Sequence, residues 1–141
     1  MVSKIFKKDE KETPALILEL SFAGQMSIWG LRLLASGYRA EIDMTKALID
    51  GFRRCNAVQA GSNLLFLSEI IFSGLTRNIQ INCSCNPGLS KDEKALVSIL
   101  NICQKSPNTE IKEYLTDFIT HDAANNAVFL FINYTSCLRD A

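Results

Sequence analysis

The chain has 141 residues, enough for one domain with a core of its own. Apolar residues make up 48% and charged residues 21%, the balance of an ordinary globular protein rather than a disordered or fibrous one. Fifteen basic residues cancel fifteen acidic ones, so no net field draws the chain to nucleic acid or to an anionic membrane.

Residues 1–12, MVSKIFKKDEKE, read as a charged N-terminal tail, without the apolar stretch and cleavage site of a secretory leader. Five cysteines (Cys55, Cys83, Cys85, Cys103 and Cys137) are an odd number. With no export signal, they point to free thiols in a reducing cytoplasm, most of them buried as small hydrophobes. Residues 13–141 are expected to form one helical domain.

The first helix is predicted over 14–35, with Thr13 as N-cap, Pro14 in its first turn and Gly37 ending it. Its apolar run has the length of a membrane span but contains Glu19, Gln25 and Arg32. A central arginine costs roughly 2.5–3.5 kcal/mol in a bilayer, so no span is expected. Leu16, Leu20, Ala23, Leu31 and Leu34 fall on one flank of this helix, and Leu18, Phe22, Trp29 and Leu33 on another. Such a helix is buried on most sides, inside the core or against another subunit.

Asp43 is predicted to cap a second helix over 44–58. Gly61-Ser62-Asn63 then reads as a break before a third over 64–72, closed by Gly74; one helix continuing through Gly61 is the alternative. Residues 78–85, NIQINCSC, alternate apolar and polar with the period of a strand. A lone strand cannot satisfy its own backbone groups, so it must pair, lie extended against helices or meet its copy in a second chain. Asn86-Pro87-Gly88 marks a turn. Ser90 and Glu93 form a capping box that opens a helix over 91–104, with Leu96, Ile99, Leu100 and Cys103 inward. Ser106-Pro107 opens another, to about Thr120, with Ile111, Leu115 and Phe118 inward. Asp122 caps a last helix to Leu138, apolar through Val128, Phe131 and Tyr134. The fold expected is an all-α bundle of five to six helices with one short extended segment near 78–85.

Several residues stand out as candidates for chemistry. Cys83 and Cys85 share a face of an extended segment and could serve redox or metal chemistry, with Cys55 and Cys103 completing a four-thiolate site. Zinc and iron–sulfur sites favour wider thiol pairs, and the plainer reading is two ordinary thiols. His121, beside Asp122, is the only histidine; it reads as a surface residue unless a cysteine folds against it. Arg53 and Arg54, with Arg32, could gather into an anion pocket, though surface ion pairs are the commoner fate of arginines. Arg32 is the singular case. A charge on a nearly all-apolar helix must reach solvent, a partner carboxylate or a ligand.

Residues 89–114 have the cadence of a helix-turn-helix, but the second helix carries Glu110, Glu113 and Asp117 against one lysine. Such groups repel a phosphate backbone, which leaves a plain helical hairpin and no nucleic-acid partner. No Gly-rich phosphate loop or His/Asp/Glu metal cluster calls for a cofactor. The expectation is therefore a non-catalytic interaction or assembly module, a homo-oligomer or a binder of another protein. The first alternative is a small-ligand domain with an apolar pocket near Trp29 and Arg32. The second is a thiol-based redox or metal-binding protein using Cys83 and Cys85.

Overall fold

A computed structural model describes residues 14–105 and 111–140. It is an all-α bundle; among the described residues there are six α-helices and no strand. After a 3₁₀ turn at Ile17–Glu19 come α1 (Phe22–Ala40), α2 (Thr45–Arg54), α3 (Val58–Ser73), α4 (Lys91–Lys105), the short α5 (Lys112–Leu115) and α6 (His121–Asp140). The most extensive packing is between α3 and α6, where Leu64, Leu67 and Ile71 meet a core that includes Ala124, Ala127 and Phe131. Of the inward positions expected from helical spacing, Leu96, Ile99, Cys103, Ile111, Leu115, Phe118, Phe131 and Tyr134 are buried. No helix among the described residues is long and apolar enough to cross a membrane.

The boundaries differ from expectation in ways that have physical causes. The apolar run 14–35 is not one helix. Residues 15–17 are drawn out to meet 87–89: the Ile17 amide donates to the Pro87 carbonyl (2.9 Å) and that of Leu89 to Ala15 (2.8 Å). The α-helix begins only after Ser21, whose hydroxyl accepts from the Gly24 amide at 3.1 Å. The expected cap Thr13 lies outside the described residues, as do the tail 1–12 and the Ser106-Pro107 helix start. Gly37 does not end α1 either. The helix runs on to Ala40, and Glu41 takes the left-handed turn (φ 56°).

The break between the next two helices falls at Asn56 (φ 58°), not at Gly61-Ser62-Asn63. Asparagine tolerates the left-handed region, and the Ala57 amide closes the turn on the Phe52 carbonyl at 2.8 Å. Gly61 lies inside α3, where a Cβ would stand 2.9 Å from Cβ of Phe52; it is there to let α2 and α3 approach. Asp43 does accept from the Thr45 amide (2.9 Å), and Gly74 does close α3.

Downstream, α5 is a single turn rather than a helix reaching Thr120, so residues 89–114 are not a hairpin of two full helices. Leu75 and Ile119 pair instead in an antiparallel bridge, with the Thr120 amide donating to Gly74 (2.8 Å) and that of Thr76 to Phe118 (2.9 Å). Thr120, not Asp122, caps α6, its hydroxyl accepting from the Ala123 amide at 3.1 Å.

The left-handed turn at Asn56 makes a simple prediction. Asn56→Ala should lower stability by about 1–2 kcal/mol through backbone crowding, whereas Asn56→Gly should cost little. Urea unfolding of the two variants measures the difference.

Candidate functional site

Residues 78–83 form no ladder, and Ser84 and Cys85 lie in a turn rather than continuing the extended segment expected over 78–85. Three backbone groups of 78–83 are taken up by the start of α4. The Gln80 amide donates to Asp92 Oδ2 (2.7 Å) and that of Asn82 to Glu93 Oε2 (3.3 Å), while the Ser90 hydroxyl donates to the Gln80 carbonyl. The expected capping box is present: the Glu93 amide donates to Ser90 Oγ (3.0 Å) and the Ser90 amide to Glu93 Oε1 (2.9 Å). The turn that follows is held by the Gly88 amide on Asn86 Oδ1 (2.8 Å) and the Asn86 amide on the Cys83 carbonyl (3.0 Å).

Into this cradle projects Arg32 from α1, its side chain 1% exposed and that of Glu93 fully buried. Arg32 Nε donates to Glu93 Oε2 (2.7 Å) and Nη2 to Oε1 (3.0 Å), the two-pronged contact that suits a guanidinium and a carboxylate. Nη1 donates to the carbonyls of Cys83 (3.1 Å) and Asn86 (2.7 Å), and Nη2 to that of Gly88 (2.7 Å). All five N–H donors of the side chain are thus engaged. Arg32 reaches a partner carboxylate, and its donors are spent within the chain.

On the outer side of α1 lies a cleft of about 300 Å³ lined by Ile17, Phe22, Met26, Trp29, Arg32 and Ser84, among others. Trp29 and Arg32 both stand on its lining. Leu20, Ile28, Leu89 and Val97 form a small second core, with Ile17 packed on it, and so anchor the cleft wall. The Trp29 ring packs against Gly51, where a Cβ would stand 2.2 Å from Cη2, and lies 6.2 Å from the Phe52 ring. Arg53 and Arg54 do not join the cleft. Both are exposed at the end of α2, and Arg53 pairs with Asp50 at 2.9 Å.

The thiols divide sharply. Cys83 and Cys85 are exposed at the loop tip with their sulfurs 2.9 Å apart. The hydrogen bond from the Cys85 thiol, with smaller help from the backbone amides of Cys85 and Asn86 and the Arg32 charge, holds the Cys83 thiol below its usual range; the same contact raises that of Cys85. Cys55 contacts Met26 Sδ (3.7 Å) and Cys137 accepts from Asn63 Nδ2 (3.3 Å). Cys103 is buried, its pKa pushed up to about 11 by desolvation. Among the described residues no three His, Cys, Asp or Glu side chains come together as a metal-holding group, so Cys55 and Cys103 do not complete a site with the loop pair. His121 is exposed and its Nε2 meets Lys112 Nζ at 2.7 Å.

In the sequence Arg32 and the Glu93 capping box stand out separately, and nothing local joins them across a separation of 61 positions. The available signal was the mismatch itself: a charge inside an apolar stripe, and one capping carboxylate with oxygen lone pairs to spare.

Removing one partner of a buried pair leaves the other charge stranded, so Glu93→Ala and Arg32→Met should each lose about 3–5 kcal/mol. The double variant should lose clearly less than the sum, and urea unfolding of all four proteins checks this coupling. Compared with protein-family models, with curated proteins and with solved structures, the chain matches none.

Proposed function

We propose that the protein is a non-catalytic assembly module that pairs with a second copy of itself through the outer face of its N-terminal region. The observation that carries this reading is a protrusion and a hollow on one apolar surface. Leu18 is 84% and Phe22 66% exposed, and Phe22 lines, with Ile17 and Trp29, the cleft of about 300 Å³. A patch holding both a knob and a hole suits two-fold pairing, in which each copy fills the other. The zero formal charge removes any net repulsion between copies. The segment 78–85 lends no support, because backbone groups of Gln80 and Asn82 find partners within the chain.

Sedimentation velocity at micromolar concentration is the test. The expected result is a dimer that Phe22→Glu or Leu18→Asp converts to a monomer with unchanged far-UV circular dichroism, and an unfolding midpoint that rises with concentration in the wild type only. Trp29 emission should shift to the blue as the dimer forms. A strictly monomeric wild-type chain overturns the proposal.

The cleft volume favours one second reading, a site for a small apolar ligand, since about 300 Å³ is the lower end of such pockets. Because the Arg32 donors are already engaged, shape and the apolar walls would carry that binding. A saturable change in Trp29 emission when an apolar dye is added to a monomeric chain, lost in Gly51→Ala as the ring is displaced, would separate this reading from self-association.

A further inference from the structure

We propose that Cys83 and Cys85 join in a reversible disulfide, making the loop tip a thiol–disulfide exchange site for small disulfides of the glutathione class. The geometry comes first. The two sulfurs lie 2.9 Å apart, while a bonded pair stands at about 2.05 Å. Two sulfurs on one tetrahedral zinc, each at about 2.3 Å from it, would stand roughly 3.8 Å apart. The separation lies about midway between the two, and among the described residues no third His, Cys, Asp or Glu joins the pair to hold an ion.

The loop beneath the thiols is fixed by contacts that the chemistry does not touch. The Cys83 carbonyl accepts from Arg32 Nη1 and the Asn86 amide, and the Asn86 and Gly88 carbonyls accept from the same guanidinium. The sulfurs are consequently presented to each other without ordering a mobile segment first. Both are exposed to an incoming reagent. Cys103 is buried away from it, and Cys55 and Cys137 each contact another side chain. With the Cys83 thiol held below its usual range and that of Cys85 above, Cys83 is the better placed of the two exposed thiols to attack as thiolate.

The exchange balances in two steps. The Cys83 thiolate attacks one sulfur of the small disulfide, whose S–S bond breaks; the departing thiolate carries the electron pair and takes up a proton. Cys85 then loses its proton and attacks the Cys83 sulfur of the mixed disulfide, expelling the second thiolate, which is protonated in turn. The protein dithiol is oxidised by two electrons and the small disulfide is reduced to two thiols. A small, exposed ring of this kind belongs to the readily reduced class of disulfides, so excess reduced glutathione should reverse it.

The test uses the full reduced chain, oxidised glutathione, alkylation of the remaining thiols and tryptic mapping. Cleavage after Arg77 and Lys91 isolates residues 78–91, which contain Cys83 and Cys85 and no other cysteine. The expected peptide is lighter by two hydrogen atoms and takes no alkyl group; reduced glutathione restores two alkylation sites. In Cys85→Ser the second step is blocked, so glutathione should stay on Cys83. Cys103 should resist alkylation in the native protein until denaturant is added. Recovery of wild-type 78–91 with both thiols alkylated overturns the proposal. So does a glutathione adduct that is never released, or a bond from either thiol to Cys55 or Cys137. No step uses the cleft, so the result stands apart from self-association.

Discussion

A guanidinium taken out of water must find an acceptor for every N–H it carries or leave a large desolvation penalty uncompensated. Arg32 does so with one carboxylate and three carbonyls, and those acceptors come from the loop 83–88 and the first turn of α4. Glu93 is matched from its own side: each carboxylate oxygen accepts two hydrogen bonds, from Arg32 together with the Ser90 or Asn82 amide. No described buried side-chain nitrogen or oxygen lacks a partner. Full satisfaction of this kind allows a charged pair to sit in a small bundle, and it fixes where α1, the loop and α4 stand relative to one another.

That arrangement also shapes the outer surface. With the guanidinium turned inward, the cleft beside it keeps mainly the side chains of Ile17, Phe22, Met26 and Trp29, and is apolar. Ser84 lines the cleft as well, and it lies between the paired cysteines. One loop therefore caps an ion pair with its carbonyls, closes a cleft with its central residue and displays two thiols at its tip. Residues of very different chemistry are brought together by one buried charge.

The parts of the fold that were readable from sequence are those set by local rules. Helical spacing identified the inward faces of α4 and α6, and Ser90 with Glu93 announced a helix start three residues apart. What escaped was set over distance. The apolar run 14–35 looks like one helix because nothing local says that residues 15–17 must be extended to pair with 87–89. Gly61 looks like a breaker because a glycine needed for close approach to Phe52 is written the same way as one needed for a turn. Asn56, which makes the real turn, carries a weaker signal. The alternation in 78–85 suggests a strand, but no strand forms: Gln80 and Asn82 bond to groups at a helix start, and Ser84 and Cys85 lie in a turn.

The sequence distances within the Arg32 cradle have a dynamic consequence. Its acceptors lie 51, 54, 56 and 61 residues further along the chain, so the cradle assembles only after α1 and α4 have docked. Once it is assembled, lifting the loop strips three carbonyl acceptors from the guanidinium together and leaves it held by Glu93 alone. Fraying of one residue at a time is therefore disfavoured, and residues 82–93 with the middle of α1 open as one cooperative unit. Amide protons of Asn82 and Ser90, though close to the surface, both rest on the Glu93 carboxylate and are expected to exchange with that unit.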